Sequence, residues 1–221
     1  MEIHELKPGD KYYPSQLFTL PQPAYKLYVI GNLDILRHKS LAVVGSRAAM
    51  PYGKEVTTTL VAEAVWSSIP IVSGLALGVD SIAHRATLAA GGHTIAVLPG
   101  GIERIYPASH QSLAEEIVRK GGTLVSEHPG TMRPHKYHFI ARNRIIAGLA
   151  HAVLITEAAE KSGSLHTAQF ALDQGKDVLA VPGSIFSNNS VGVHNLISQG
   201  AQLVQNAEQI LNLFALPQKL P

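Results

Sequence analysis

Two arginines and an amide stand close together in the run Phe139–Gly148, which reads FIARNRIIAG. Arg142 and Arg144 carry fixed positive charge, Asn143 between them can both donate and accept hydrogen bonds, and an apolar segment follows directly. Guanidinium groups bind phosphate through parallel N–H donors. The run therefore predicts an anion-binding edge that is built on an element of the hydrophobic core.

The charge around this run is one-sided. From His128 through Thr156 the chain contains no Asp or Glu, whereas Arg133 and Lys136 add to the two arginines and four histidines lie among them. The formal net charge of the whole chain is only +2, so the basic stretch is a local feature. Such a stretch usually faces phosphate, and the interleaved rings of Tyr137 and Phe139 offer surfaces on which nucleobases could stack.

The composition limits the class of protein. With 221 residues, of which 46% are hydrophobic and 15% charged, the chain can bury one substantial core, and no stretch has the composition of an interdomain linker. We expect residues 1–24 to form an extended lead-in, residues 25–216 a single domain and residues 217–221 a tail.

Several classes of protein and site are disfavoured. The absence of cysteine removes disulfides and thiolate metal sites, and the first ten residues carry charges where a secretory signal would be apolar. No apolar run reaches the roughly 18 residues of a membrane span. The histidines show no H-x-x-x-H or comparable spacing, so no metal is expected. We expect a cytoplasmic protein that does not enter the membrane.

Short runs rich in Val, Ile and Leu alternate with helical patterns along the chain. The alternation predicts an α/β fold, namely a doubly wound, mostly parallel sheet with helices on both faces. Ligands of such sheets bind in the loops that leave the carboxyl ends of the strands. The predicted buried parallel strands are 41–44, 69–72, 94–98, 123–125, 152–155 and 177–181, with an additional strand at 27–30. The predicted helices are 56–66, 79–90, 111–120, 164–174 and 207–214.

The turn after the first core strand, Gly45-Ser46-Arg47, has the composition of a phosphate cradle. Glycine lets the backbone approach a phosphate, the hydroxyl of Ser46 is a donor, and Arg47 provides a fork of N–H groups beside a helix start. The turn is neither G-x-G-x-x-G nor G-x-x-x-x-G-K-[ST], which argues against a dinucleotide cofactor and a P-loop NTPase. No cofactor is expected. An ordinary strand-to-helix turn remains the alternative.

Later strand ends carry similar turns. In Ser73–Asp80, two glycines permit tight geometry, Asp80 suits the start of a helix, and His84 one turn on could be its partner. The segment Ser162-Gly163-Ser164 could donate hydrogen bonds to an anion while capping a helix. Glu103 and Glu127 could in principle form an acid/base pair, but turn and helix-start roles explain each of them better.

Four of these loops, in this order, resemble the DNA-processing protein A family (DprA or Smf): Gly45-Ser46-Arg47, Ser73–Asp80, the run from Phe139 to Leu149, and Ser162-Gly163-Ser164. The resemblance covers roughly residues 25–205. It implies a Rossmann-like domain that binds single-stranded DNA, forms a homodimer and helps to load the RecA recombinase during natural transformation. The DNA- and phosphate-binding residues that it implies are Gly45, Ser46, Arg47, Gly74, Lys136, Phe139, Arg142, Asn143, Arg144, Gly163 and Ser164.

The chain departs from the family pattern in two ways. Members commonly add a small helical domain before this core and a winged-helix-like domain after it, for which there is no room here, so a trimmed or minimal member is expected. Ile140-Ala141 stands where the family often has a proline, and His166 stands at a usually apolar place. The basic residues are unaffected, and Phe139 is the expected stacking residue.

As a binding module the chain needs no catalytic residue, and its affinity should fall with salt. Four phosphate contacts, from Arg47, Lys136, Arg142 and Arg144, would give a log-log salt slope of roughly −3 per protomer. In a helix, Arg142 and Arg144 would lie about 200° apart, so one of them would brace the pocket or pair with Glu157. We expect Arg142 to contact the nucleic acid.

Two other functions are considered. Rossmann-like proteins of the lysine-decarboxylase-like group act as nucleotide phosphoribohydrolases with a Pro-Gly-Gly loop followed by Gly-Thr. Here Pro99-Gly100-Gly101 is followed by Ile102-Glu103 instead, which weakens that alternative. A scaffold whose basic loop binds an acidic protein is the third possibility. For a dimer interface, the apolar positions within 165–172 and 191–197 are candidates.

Overall fold

The computed structural model of the chain describes residues 2–18 and 20–215, so the predicted tail at 217–221 lies outside the described residues. Within them, one nine-stranded sheet has the order β1-β2-β6-β5-β4-β3-β7-β8-β9. The strands from β3 to β9 pair in parallel, whereas β1 pairs antiparallel with β2, and β2 antiparallel with β6. The strands are β1 His4–Leu6, β2 Leu27–Gly31, β3 Leu41–Val44, β4 Ile71–Ser73, β5 Thr94–Val97, β6 Thr123–Ser126, β7 Ala152–Ile155, β8 Asp177–Ala180 and β9 Gln202–Leu203.

Helices cover both faces of the sheet. Successive residues of a strand point to opposite faces, and β3 follows this rule: Ala42 and Val44 face one side, Leu41 and Val43 the other. Helices α4, α5 and α6 pack on the first side and α1, α2, α3 and α7 on the second. The helices are α1 Pro51–Trp66, α2 Val79–Ala89, α3 Gln111–Arg119, α4 Lys136–Leu149, α5 Ser164–Asp173, α6 Val191–Ser198 and α7 Glu208–Phe214.

This architecture confirms the predicted fold class, with local differences. The strand predicted at 69–72 begins at Ile71, because Pro70 has no N–H for the ladder. The additional strand at 27–30 is present, but it runs antiparallel to β6 near one edge of the sheet. Helix α1 begins at Pro51, five residues before the predicted start, since proline is favoured in the first helical turn. The sequence pattern did not predict β1 and β9, which are three and two residues long.

The order of strands creates a switch point beside β3. The chain proceeds outward from β3 through β4 and β5 to β6, and then returns to place β7 on the other side of β3. Loops that leave neighbouring strands at such a point turn to opposite faces, and they leave a crevice between them. The crevice lies between the segment after Val44 and the segment after Ile155.

None of the helices in the described part of the chain is long and apolar enough to span a membrane.

Candidate functional site

A cleft of about 750 Å³ opens at the switch point. Its walls come from the loop after β3, the start of α2, the first three turns of α4 and the loop between β7 and α5. These are the carboxyl-end loops that the sequence analysis selected. The predicted residues that line the cleft are Gly45, Ser46, Arg47, Lys136, Phe139, Arg142, Asn143, Gly163 and Ser164.

Four cationic side chains line this cleft, and Asp80 is the only acid among its described lining residues. Arg47, Lys136 and Lys161 are exposed, whereas Arg142 is buried at the floor. Sequence reasoning missed Lys161, because Glu157 and Glu160 make its own stretch of chain look neutral. Its position in the loop after β7, at the switch point, was the available signal.

Arg142 is only 6% exposed. Its Nε donates to the Oδ1 atom of Asn143 at 3.2 Å, and its Nη1 donates to the carbonyl oxygen of Val97. Burial lowers the pKa of Arg142 to about 10, an effect that Asp80 opposes and Arg47 reinforces. The side chain remains positively charged at neutral pH, so the floor of the cleft carries a fixed charge in a poorly solvated place.

The acid at the floor is also buried. Burial raises the pKa of Asp80, while Arg142 and a hydrogen bond from the N–H of Ala76, at 3.3 Å, act against that shift. Its carboxylate lies near the guanidinium without forming an ion pair with it. Asp80 therefore offsets part of the Arg142 charge and leaves the cleft positive overall.

Gly74 lies beneath the floor and does not line the cleft, contrary to the sequence prediction. A Cβ atom at this position would overlap both the carboxylate of Asp80 and the guanidinium of Arg142. The glycine thus provides the space that these two groups occupy. The suggested pair of His84 with Asp80 is also wrong, because His84 bonds to the carbonyl oxygen of Gly74 and to Thr94. Burial lowers the pKa of His84 to about 4, so the ring is neutral.

The loop after β3 is fixed by its own hydrogen bonds. The N–H of Ser46 donates to the carbonyl oxygen of Glu157 at 2.7 Å, and the Ser46 hydroxyl accepts the N–H of Ala48 at 3.1 Å. A Cβ atom on Gly45 would come within 2.7 Å of that Glu157 carbonyl oxygen. Gly45 and Ser46 therefore shape the wall, and Arg47 is the member of the predicted cradle whose charge reaches the cleft.

The opposite wall joins α4 to the start of α5. The Nδ2 atom of Asn143 donates to the carbonyl oxygen of Gly163 at 3.1 Å. The hydroxyls of Ser162 and Ser164 bond to each other at 2.8 Å. Asn143 thus holds the loop in place, while the hydroxyls and the amino end of α5 border the open space and suit an anion.

Aromatic rings form the rim. The guanidinium carbon of Arg47 lies 5.2 Å from the ring centroid of Phe139, and Tyr106 meets the same ring edge-on, with centroids 5.4 Å apart. Tyr106 lines the cleft and is half-exposed, and the sequence analysis did not single it out as a ring that could stack. Tyr137 is not among the lining residues, and its ring is stacked on His135.

Arg144 does not line the cleft, so the structure gives its predicted phosphate contact no support. Its Nη2 atom lies 2.6 Å from both carboxylate oxygens of Glu127. The suggested pairing with Glu157 is also wrong, because the carboxylate of Glu157 accepts the N–H of Met50 at 3.0 Å. Arg142 and Arg144 are two residues apart in α4 and consequently point to different sides of the helix.

The groups considered for catalysis lie elsewhere. Gly101 donates to the carbonyl oxygen of Met132 at 3.0 Å, so the Pro-Gly-Gly loop packs on residues 130–134. Neither Glu103 nor Glu127 lines the cleft. Across the residues that the structure describes, no cluster of three or more His, Cys, Asp or Glu side chains is arranged to hold a metal.

Comparison with known proteins gives a consistent family relationship. A family profile described as DNA recombination-mediator protein A matches residues 4–215. Protein Smf of Escherichia coli K12 is 46% identical over 209 residues, which are 94% of this chain and 56% of that protein. DNA processing protein DprA of Bacillus subtilis is 41% identical over 209 residues, or 70% of its length. The chain therefore spans little more than half of the first relative and about two thirds of the second.

Solved structures agree with the sequence relatives. The DprA structure from Streptococcus pneumoniae superposes with a TM-score of 0.90 at 39% identity, covering 96% of this chain and 74% of that one. DprA from Helicobacter pylori, described for its single-stranded DNA binding mode, gives 0.86 at 32% identity and covers 96% and 95%. A molybdenum cofactor binding protein from Rippkaea orientalis, at 0.57 and 18% identity, shares the fold alone.

Proposed function

Because the chain belongs to the DNA recombination-mediator protein A family, we propose that its cleft binds single-stranded DNA. The observation that most directly supports this proposal is that four cations line one cleft with aromatic rings at its rim. The cations are Arg47, Lys136, Arg142 and Lys161. Cations that follow a groove beside flat rings are the usual means of holding a single strand without reading its sequence. The similar structure from Helicobacter pylori is described for its single-stranded DNA binding mode, which supports single-stranded DNA as the ligand here.

The residues divide by role in this proposal. The four cations contact phosphates, and the hydroxyls and N–H groups of 162–164 add hydrogen bonds. Phe139 and Tyr106 accept bases on their exposed parts. Gly45, Ser46, Gly74 and Asn143 shape the walls, and Arg144 braces α4 through Glu127 without touching DNA.

The wider role follows from the family. We propose that the chain protects incoming DNA and assists the loading of RecA in natural transformation, acting in the cytoplasm as a homodimer. The exposed side chain of Leu172, on α5, and the partly buried Ile197, on α6, lie in the two segments expected to supply apolar contacts to a second copy.

We propose binding without catalysis. A nucleotide phosphoribohydrolase needs an acid or base beside its substrate, and Asp80 at the cleft floor is the single carboxylate among the described lining residues. Incubation with AMP tests this directly. Release of adenine by the wild-type chain, lost on Asp80→Asn, would establish the enzymatic alternative.

The binding proposal is tested by fluorescence anisotropy with a labelled oligothymidylate of about 20 nucleotides and the corresponding duplex. We expect a strong preference for the single strand, and a loss of affinity for Arg142→Met. Arg85→Met removes an exposed arginine of α2 that does not line the cleft, so it should bind as the wild type does. Tighter binding of the duplex, or equal loss in both variants, would contradict the proposal.

A further inference from the structure

A second groove, of about 630 Å³, opens at the same end of the sheet. One wall is the first turn of α1, with Met50 and Tyr52, and the other is the loop 182–190 that follows β8. Among the described residues that line it, none carries a positive charge, and the single acid, Glu157, is 4% exposed. The groove therefore differs in chemistry from the cationic cleft beside it.

The groove and the cleft share a wall. Ala48 lines the cleft and Met50 lines the groove, so the loop between them separates the two spaces. Asn189 of the second wall donates its Nδ2 to the carbonyl oxygen of Ala48 at 2.9 Å, and its own carbonyl oxygen accepts the N–H of Ala158 at 2.8 Å. The loop 182–190 is thus fastened to both segments that border the cleft, and the two spaces lie next to each other.

Two apolar side chains stand almost fully in solvent at the tip of this loop. Phe186 is 93% exposed and Ile185 is 80% exposed. The tip is ordered by local hydrogen bonds, since the hydroxyl of Ser184 accepts the N–H of Phe186 at 3.2 Å and the carbonyl oxygen of Ser184 accepts the N–H of Ser187 at 3.0 Å. The turn therefore holds two adjacent apolar side chains where a ligand can reach them.

Tyr52 supplies a second ring on the facing wall. Its hydroxyl donates to the carbonyl oxygen of Pro182 at 2.7 Å, which fixes the ring across the groove, and about half of the side chain remains exposed. The groove therefore has an oriented aromatic ring and no cation among its described lining residues, and the exposed aromatic tip stands beside the groove between its lining residues Ser184 and Ser187.

We propose that this groove receives the nucleotides adjacent to those in the cleft, with their bases against Tyr52 and Phe186. The inference rests on the proposed function, because the strand that enters the groove is the one held in the cleft. The described lining of the groove has a carboxylate and no cation, so it suits bases and not phosphates, and the backbone runs along its open side. The groove lengthens the binding site, and it adds affinity through stacking that depends neither on base identity nor on salt.

Removal of the exposed tip tests the groove. The double variant Ile185→Ser/Phe186→Ser should bind an oligothymidylate of about 4 nucleotides as the wild type does, because that length is held by the cleft. It should bind one of about 20 nucleotides roughly 5- to 100-fold more weakly, with an unchanged salt slope. Trp66→Ser is the matched control, since Trp66 is a 72% exposed aromatic residue at the far end of α1.

A fluorescence measurement reports contact directly. Trp66 is the only tryptophan of the chain, so Trp66→Phe/Phe186→Trp carries a single tryptophan at the loop tip. Its emission should be quenched by the longer oligonucleotide and not by the shorter one.

Three outcomes would overturn the inference. The first is full affinity of the double variant for the longer strand, and the second is unquenched emission when that strand is bound. The third is a variant that changes oligomeric state while its affinity per protomer is retained, which would make the groove an interface between copies. In each case, wild-type binding that Arg142→Met weakens would leave the proposed function intact, whereas absence of wild-type binding would end both.

Discussion

At the scale of single residues, Arg142 carries a buried charge that Asp80 offsets only in part. The guanidinium is 6% exposed, and it hydrogen-bonds to a carbonyl and an amide, neither of which has a negative charge. A buried cation without a full partner lowers stability, because its hydration is lost. A bound phosphate would supply the missing charge. The arginine is therefore better explained by binding than by folding.

Arg142→Met should therefore affect DNA binding and stability differently. Methionine keeps much of the volume and removes the charge, so we expect affinity for single-stranded DNA to fall about 10- to 100-fold, the size of a lost charge-assisted hydrogen bond. The midpoint of thermal unfolding should change little, because the removed cost of burying the guanidinium is opposed by the loss of its attraction to the carboxylate of Asp80. Anisotropy and circular dichroism melting measure the two quantities. A lower melting midpoint with unchanged affinity would show that Arg142 serves the fold.

Arg47 and Phe139 touch each other but should act on DNA by different forces. The guanidinium carbon lies 5.2 Å from the ring centroid, so a ligand meets both at once. Arg47→Met should weaken binding and reduce the magnitude of the salt slope by about 0.7, because one phosphate contact is lost. Phe139→Leu should weaken binding by about 1–3 kcal/mol and leave the slope unchanged, because stacking releases no counterions. A titration series over salt distinguishes them, and equal slopes for both variants would contradict these roles.

At the scale of elements, helix α4 positions most of the site, and its end is fixed from another part of the chain. Lys176, in the turn before β8, donates its Nζ to the carbonyl oxygens of Ala147 and Gly148, both at 2.7 Å. These are among the last carbonyls of α4, which have no partner within the helix. Burial lowers the pKa of Lys176 to about 8.

Lys176→Met should therefore destabilise the fold by about 1–2 kcal/mol and do so by a pH-dependent amount. The folded-state pKa lies below the unfolded one, so between about pH 8 and 10.5 the unfolded chain binds more protons and the free energy of unfolding rises with pH. The difference in that free energy between wild type and variant should widen across this range. Urea denaturation at pH 7.5 and pH 10 measures it. A difference that is constant or shrinks would contradict the assignment.

The same elements show what the sequence could and could not predict. The central strands are continuous Val, Ile and Leu runs between turn residues, so their buried parallel arrangement follows from local pattern. Strands β1 and β9 exist through pairing with distant segments, which leaves almost no local signal. The boundaries of the five predicted helices were correct to within a residue, except where Pro51 starts α1 ahead of the apolar pattern, whereas α4 and α6 were not among the predicted helices.

The sequence predicted which loops form the candidate site, but it did not predict the directions in which their side chains point. The family resemblance implied that residues of 45–47, 136–144 and 162–164 would meet, and members of all three segments line one cleft, although Arg144 does not. The rotation of α4 about its own axis decides that Arg142 points into the cleft and Arg144 toward Glu127. The sequence does not fix this rotation, because both arginines lie within one turn of the helix. Lys161 and Tyr106 enter only through the order of strands, which brings distant loops together.

At the scale of the whole molecule, the order of strands concentrates positive charge that the composition conceals. A chain with a formal net charge of +2 places Arg47, Lys136, Arg142 and Lys161 around one opening, with a single buried acid among the described lining residues. Exposed acids such as Glu55 and Glu160 lie outside that lining. A field focused in a cleft attracts a polyanion far more strongly than the net charge suggests.

The salt dependence of DNA binding tests which cations line the cleft and contact phosphate. The predicted slope of roughly −3 came from four cations that included Arg144, and the cleft again has four cations, with Lys161 in place of Arg144. Lys161→Met should therefore make the slope less negative by about 0.7, whereas Arg144→Met should leave the slope unchanged. Arg144→Met should instead lower the free energy of unfolding by about 1–3 kcal/mol, because it leaves the largely buried carboxylate of Glu127 without its partner. Affinity measured against salt, with urea denaturation of the same samples, separates the two variants, and a reduced slope for Arg144→Met would return that arginine to the DNA-binding surface.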